Sequence, residues 1–536
     1  MTISTQTGTI RNPVLPGFNP DPCIVRAKDT YYIAVSSFEW LPGVRVYASK
    51  DLAVWAHCTD VLTDQVDLRG NPKNCSIWAP QLSYHDGLFY LIYTDVKSTK
   101  RPFKDVHNYL ITASSIHGPW SEPVYLNSSG FDPSLYHDED GRKWLLNEIW
   151  DYRIPEGNKS SGIVIQQYDP QQQKLVGKPF KLFDGTDLKK TEAPHIYKHQ
   201  GYYYLITAEG GTGSGHAVTV ARSRSLMGPY EVDPRNPMLT SRDNPELPLQ
   251  CAGHGSLIQT PQGEWYMAHL CTRPIEGQYA LLGRETALQQ VYWDEEGWLR
   301  LTAGGNSPQM EVPRPKGITP AEAKTAAERS LFEDTFDGPE LAKAWNTLRI
   351  PADPSWCSLS ERPGHLRLHS GESPQSLFHH HIVAVRQADI HFRAETSLEF
   401  ESASYLQMAG LMLYLNDENY LYAYVTQDEE QGKVIRLMRC ADDAFAVIPD
   451  MIPVNAGEAV QLAVEVHGIR GRFYGRFSPE QDWVPLFEEQ DIRFLCGGFT
   501  GNFVGIAVHD MQSFGGSYAD FSHFRYTGIE SIEEQG

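Results

Sequence analysis

Two stretches, Trp78-Ala-Pro-Gln-Leu-Ser-Tyr-His-Asp-Gly-Leu-Phe-Tyr-Leu91 and Glu192-Ala-Pro-His-Ile-Tyr-Lys-His-Gln-Gly-Tyr-Tyr-Tyr-Leu205, follow one plan. Each opens on a polar or aromatic residue with a small residue or Pro behind it, runs through a short apolar strand, turns at a Gly and returns as an aromatic-rich strand. Three more segments repeat the plan: Asp21-Pro-Cys-Ile-Val with Thr30-Tyr-Tyr-Ile; Asp132-Pro-Ser-Leu with Asp140-Gly-Arg-Lys-Trp-Leu; and His254-Gly-Ser-Leu-Ile with Gln262-Gly-Glu-Trp-Tyr-Met. The leading residues 21, 78, 132, 192 and 254 are spaced by 57, 54, 60 and 62 residues. That interval suits four short strands and their turns, and self-similarity at such a period signals a repeat architecture. Four-stranded units repeated around an axis are the blades of a β-propeller, which leaves only short, protected sheet edges.

Outward from each hairpin lies a further strand pair, as in Val46-Tyr-Ala-Ser, Ile111-Thr-Ala-Ser-Ser and Val220-Ala-Arg-Ser, each followed by an aromatic at Trp55, Trp120 or Tyr230. Helical periodicity is absent from this half, so the sequence predicts an all-β chain whose residues 10–305 form a five-bladed β-propeller. Residues 306–330, with Pro308, Pro313, Pro315 and Pro320 close together, read as a linker. From residue 331 to 536 strand alternation returns in segments such as Tyr420-Leu-Tyr-Ala-Tyr-Val and Val460-Gln-Leu-Ala-Val-Glu-Val, with a spacing that fits a β-sandwich domain.

The leading residues carry the candidate chemistry. In a propeller the innermost strands run beside the central channel, so Asp21, Trp78, Asp132, Glu192 and His254 should converge on one end of it. Three carboxyls in a partly dry site are unfavourable, and structure alone would not select them. An acidic patch of surface loops would show no match to the repeat register. Acetal hydrolysis needs a proton donor for the leaving oxygen and a carboxylate that activates water or attacks the sugar carbon. Two acids supply those roles and a third can set their pKa values, because neighbouring carboxylates resist joint ionisation. Spacing does not decide which acid takes which role.

Composition narrows the partner. Lys plus Arg is 46 against 67 Asp plus Glu, a formal charge of −21, which repels nucleic acid and anionic membranes and leaves a neutral or cationic ligand. The 12 Trp and 11% aromatics exceed what an average core needs, and stacking on sugar faces is one use of the surplus. Eight cysteines form no CxxC pair and no compact cluster, against both a zinc site and a disulfide framework. No apolar run is long enough to span a bilayer, and residues 1–10 carry neither a basic nor an apolar leader region, so the expected location is cytoplasmic.

The strings Gly17-Phe-Asn-Pro-Asp21-Pro, Ser37-Phe38-Glu-Trp40, Ile77-Trp78-Ala-Pro80, Ser129-Gly-Phe131-Asp132, Thr191-Glu192-Ala-Pro194, Thr207-Ala-Glu-Gly-Gly211, Gly253-His254 and Leu282-Gly-Arg284-Glu-Thr286 together resemble glycoside hydrolase family 43, in particular its two-domain β-xylosidases. The likeness extends to Gly497-Gly-Phe499-Thr-Gly501 and Phe503-Val-Gly505. The resemblance implies an exo-acting, inverting hydrolase that releases xylose from the non-reducing end of β-1,4-xylooligosaccharides. In it Asp21 is the general base, Glu192 the general acid, and Asp132 raises the acid's pKa and orients it. It also implies a substrate pocket lined by Phe38, Trp78, Phe131, Thr207, His254 and Arg284, closed by a sandwich loop over residues 496–503. Either Phe499 or Phe503 of that loop completes the pocket; relatives often carry a second Phe where Gly498 stands here.

No cofactor is required by this reading. A divalent cation such as calcium in the propeller channel, as in some relatives, would have His254 as its ligand, although a lone histidine reads equally well as a hydrogen-bonded core residue. Arg284 has a plain alternative in a structural ion pair. Small xylooligosaccharides are the expected partners, a homo-oligomer the expected assembly, and some α-L-arabinofuranosidase activity an expected companion. Main activity as an arabinofuranosidase, and a non-catalytic sugar-binding propeller, are the competing readings.

Overall fold

A computed structural model describes residues 8–319, 330–455 and 457–529. Among them every regular element is a β-strand. The first half forms five antiparallel sheets of four or more strands, arranged as a five-bladed propeller. Their innermost strands are Cys23–Ala27, Ser76–His85, Ser134–His137, Glu192–His199 and Gln250–Gln259. Each pairs through a tight turn with the aromatic-rich strand predicted for it, as in Ile196 opposite Leu205 and Leu82 opposite Leu91.

Hydrogen bonds join all five neighbouring inner strands around the channel. The Cys23 thiol donates to the Leu82 carbonyl at 3.5 Å, the Leu135 amide to Gln81 at 3.1 Å, and the Leu257 amide to the Tyr197 hydroxyl at 2.8 Å. Ser134 Oγ donates to the Pro194 carbonyl, and the Ile24 amide to Ser256 Oγ at 2.9 Å, which closes the ring. Each bond satisfies polar groups of the inner strands that would otherwise need another partner. The chain start helps to shut the circle: Asn12 Nδ2 donates to the Leu288 carbonyl of the fifth blade at 2.7 Å, and Asn12 Oδ1 accepts the Leu288 amide at 2.8 Å.

The second half is a sandwich of two nine-stranded sheets around a core that includes Leu398, Leu411, Ile435, Val464, Val504 and Phe521, all at most 1% exposed. Two details depart from the domain limits drawn on sequence. Glu311–Pro313, inside the expected linker, is a strand paired with Thr9–Arg11, while residues 320–329 of that linker lie outside the described residues. Trp40–Leu41, inside the propeller's span, adds as an edge strand to a sandwich sheet by pairing with Asn346–Leu348. Trp40 then stacks on Phe503 with ring centroids 3.7 Å apart and planes 18° apart. One apolar cluster, containing Phe18, Phe38, Trp40, Met412, Tyr414 and Phe503, thus joins the two halves. Arg386, half-buried beside this cluster, donates to the Phe18 carbonyl at 2.9 Å, so the contact fixes direction as well as apolar area.

Candidate active site

Backbone geometry at the inner strand ends sets the site. Asp21, Asp132 and His254 adopt left-handed conformations with φ of 53°, 52° and 53°. In the second and fourth blades the left-handed residue is instead Ala79 (φ 40°) or Ala193 (φ 50°), one position after Trp78 and Glu192. The repeat therefore aligns on Asp21, Ala79, Asp132, Ala193 and His254, and a residue follows each that is Pro, or Gly in the fifth blade. This corrects the register in which Trp78 and Glu192 stood level with the two aspartates. The pairing of both inner strands slips at these points, between Trp78 and Gln81 and between Glu192 and His195. A left-handed conformation costs a residue with a Cβ on the order of 1 kcal/mol, and it persists where surrounding structure over-determines it. Here it turns both aspartates into the channel mouth, while the longer Glu192 reaches the same space from one residue earlier.

Asp21, Asp132, Glu192, His254 and Arg284 line one pocket with Phe38, Trp78, Phe131 and Phe499. Asp21 is held by three partners. Arg284 Nη1 lies 2.6 Å from its Oδ1 and Nη2 3.3 Å from its Oδ2, Ser36 Oγ donates to Oδ2 at 2.7 Å, and His254 Nδ1 stands 3.8 Å from Oδ1. Ser36 is in turn fixed by the Ala79 amide, which donates to its Oγ at 2.7 Å. Burial pushes the Asp21 carboxyl up, but Arg284, His254 and Ser36 outweigh burial and hold it below the usual carboxylate value.

The other two acids are pushed the opposite way. Burial, then the charges of Glu192 and Asp21, raise Asp132 well above its ordinary value. Burial raises Glu192 to about 7, against the opposing pull of Lys104, with Asp21 adding to the rise. The structure thus puts one stabilised carboxylate beside two acids inclined to keep their protons, the division that general base and general acid require. The resemblance implies that Asp132 raises the acid's pKa; burial and the Asp21 charge are the leading causes at Glu192 itself.

The sandwich contributes one wall. Phe499 enters the pocket, with its ring 5.6 Å from Trp78 and 6.2 Å from Phe38. Its amide donates to Asn74 Oδ1 at 2.8 Å, and its carbonyl accepts Arg284 Nε at 3.0 Å, so the loop also orients the arginine that holds Asp21. Gly498 (φ 70°) makes this approach possible, since a Cβ there would lie 2.7 Å from Asn74 Oδ1. Phe503, the other candidate, does not line the pocket: it is fully buried against Trp40 and Phe18. Thr207 does not line it either, because it sits on the next strand out with its hydroxyl 2.7 Å from that of Thr219. A strand's side chains alternate between faces, and for both residues the face was set by packing.

A family model for glycosyl hydrolases family 43 matches residues 10–299, and one for the beta xylosidase C-terminal concanavalin A-like domain matches residues 333–527. The chain belongs to glycoside hydrolase family 43. This family 43 chain is 46% identical over 538 residues to a beta-xylosidase of Bacillus subtilis, an alignment covering 96% of this chain and 99% of that one. It is 41% identical to a xylosidase/arabinosidase of Humicola insolens, with 97% and 98% covered. The crystal structure of a xylan beta-1,4-xylosidase from Bacillus halodurans superposes with a TM-score of 0.93 at 50% identity, covering 97% of this chain and 100% of that one.

The site also holds residues that the repeat pattern does not mark. Lys104 projects from the loop after Leu88–Ser98, with its Nζ 3.9 Å from the Phe131 ring centroid and 4.1 Å from that of Trp150. Glu148 is fully buried, with its amide on the Phe131 carbonyl at 3.0 Å, and its charge and that of Glu192 oppose the burial that lowers the Lys104 pKa. Trp150, Lys190, Arg101 and Asn158 line the mouth. Their only sequence signal is position: each ends a blade strand or sits in the loop beside one, on the same face as the acids. At His254 the side chains offer a divalent cation one imidazole and no free carboxylate. The nearest carboxylate, Asp21, is already engaged by a guanidinium, and among the described residues no group of three His, Cys, Asp or Glu side chains is arranged to hold an ion.

Proposed function

We propose that this family 43 enzyme is an exo-acting, inverting β-1,4-xylosidase that removes single xylose units from the non-reducing ends of short xylooligosaccharides. The observation that carries the reading is the division of charge in the pocket: Asp21 kept ionised by Arg284, next to Glu192 raised to about 7. Asp21 accepts a proton from water as the water oxygen bonds to the anomeric carbon. Glu192 gives its proton to the glycosidic oxygen as the bond to the leaving sugar breaks. Attack from the face opposite the leaving group inverts the configuration. Asp132, its own carboxyl pushed up, orients the acid and the sugar hydroxyls. Phe38, Trp78 and Phe499 offer apolar surface to a terminal ring, and Arg284 donates to its hydroxyls.

The names of the relatives from Bacillus subtilis and Bacillus halodurans support the xylosidase reading, and that from Humicola insolens supports a secondary activity on α-L-arabinofuranosides. Eight unpaired thiols suit a reducing, cytoplasmic setting in which imported oligosaccharides are the available substrates. Proton NMR of xylobiose hydrolysis, read before mutarotation, tests the proposal. Initial α-xylose is expected, initial β-xylose would overturn inversion, and no release of xylose would overturn the xylosidase reading.

A further inference from the structure

Rings become more exposed from the floor of the pocket to its rim. Phe131, at the floor, is 5% exposed and lies 6.3 Å from the half-buried Trp150 ring. Beyond Trp150 come Phe103 and Tyr152, both 56% exposed, with ring centroids 5.3 Å apart and planes 44° apart. Isolated exposed apolar side chains are ordinary and need no explanation. These two are the only strongly exposed aromatic rings in contact with each other among the described residues. Each is also a chain neighbour, at one or two residues' distance, of a side chain that lines the pocket, Lys104 or Trp150.

The platform is built rather than loose. Trp150 Nε1 donates to the Pro102 carbonyl at 2.9 Å, which ties the second-blade loop carrying Phe103 to the third-blade strand end carrying Tyr152. Arg101 Nη1 reaches the Gly157 carbonyl at 3.4 Å across the same junction. On the Tyr152 side, the Asp151 amide donates to the Lys159 carbonyl at 2.8 Å, and Arg153 closes a two-pronged pair with Asp151 at 2.8 Å for each contact. Arg101 and Asn158, both lining the mouth, offer hydrogen-bond donors beside the rings. Apolar faces flanked by neutral and cationic donors suit an uncharged sugar.

We propose that Phe103 and Tyr152 form a leaving-side subsite that binds the xylosyl residues lying beyond the one released from Glu192's side of the bond. The inference rests on the xylosidase reading and adds chain-length preference to it. A terminal xylose held by Phe38, Trp78 and Phe499 leaves only the mouth as an exit for the rest of the oligosaccharide, and the mouth leads past Trp150 to these rings. Sugars held there gain stacking contact before and during bond cleavage, so the contact appears in kcat/KM for longer substrates only.

The test compares kcat/KM on xylobiose, xylotriose and xylotetraose for the wild type, Phe103→Ala, Tyr152→Ala and the double variant. Tyr152→Phe, which keeps the ring, serves as the conservative control. The wild type should favour xylotriose and xylotetraose over xylobiose. The double variant should lose about tenfold on the two longer sugars and less than about twofold on xylobiose, the size expected for two ring contacts; Tyr152→Phe should retain the preference. Equal losses on all three sugars, or a wild type with no preference for xylotriose, would overturn the subsite. So would an unchanged length preference accompanied by dissociation in sedimentation, which would assign the rings to an interface between copies. A wild type inactive on all three sugars would remove the xylosidase reading and the subsite together.

Discussion

The two sides of the pocket are built from the same repeat and handle charge in opposite ways. On the side of the first and fifth blades, Asp21 meets Arg284, Ser36 and His254 and stays ionised. On the side of the second to fourth blades, Asp132, Glu192 and Glu148 share the field of one ammonium group, Lys104, with no close ion pair to it among the described residues, and burial inclines that group to lose its own proton. A bidentate guanidinium outweighs burial for one carboxylate, whereas one distant, desolvated amine does not do so for three. The lesson is that the pocket's carboxyls are set apart by the donors around each rather than by the carboxyls themselves.

Removing either carboxyl should have the largest effect, and the two losses should differ in kind. Asp21→Ala should lower kcat about a thousandfold to ten-thousandfold on every substrate, good or poor leaving group alike, because water activation is needed in each case. Glu192→Ala should show a comparable loss on xylobiose but a loss of about tenfold or less on an aryl xyloside with a strongly acidic phenol, which needs little protonation. Steady-state kinetics on the two substrates reads both outcomes, and equal losses for Glu192→Ala would break the assignment of acid to that side.

A second contrast lies in the loop that closes the site. Phe499→Ala should raise KM and lower kcat/KM by about tenfold or more with little change in Tm, since the ring faces the pocket and its carbonyl on Arg284 remains. Phe503→Ala should instead cost about 3–5 kcal/mol of stability, seen as a lowered Tm, because it empties the buried space against Trp40. The reverse pattern would return Phe503 to the pocket.

The smallest effects sharpen the comparison most. As the proposed general acid Glu192 acts protonated, so kcat/KM should fall as pH rises through about 7. Asp21 must be ionised, and its carboxyl is held low, so the acid limb should lie below the ordinary aspartate value. Arg284→Met removes the charge that lowers Asp21 while burial, which raises it, remains; the acid limb should move up by about one unit or more. Lys104→Met removes the charge that lowers Glu192, so the alkaline limb should move up and the acid limb should stay. Arg284 also lowers Glu192, so Arg284→Met should lift the alkaline limb as well; full pH profiles of the residual activity separate the two variants, and a shift of the acid limb in Lys104→Met would mean that the pocket's two sides titrate as one.

Much of this was legible in the chain because propeller blades repeat. Five strand-turn-strand units with Asp21, Asp132 and Glu192 at their starts brought the acids together on paper, since equal positions in successive blades share one end of the channel. Alternating strands after residue 331 likewise marked the sandwich. Lys104, Glu148 and Trp150 were not legible, because loops and strand ends carry no period and their side chains reach the site only through the twist of each blade. The one-residue offset of Glu192 was hidden too: a bulge changes which residue turns inward without changing residue type.

Sequence alone therefore determined the all-β architecture, the two-part organisation and the three acids, each of which follows from local patterning multiplied by repetition. Only the tertiary structure decided that Phe499 rather than Phe503 meets the pocket, that Thr207 turns away from it, and that Trp40–Leu41 belongs to the sandwich sheet. It likewise decided which carboxyl stands beside the guanidinium. Those outcomes depend on contacts between residues hundreds of positions apart, where packing and burial outweigh anything a short stretch of chain can specify.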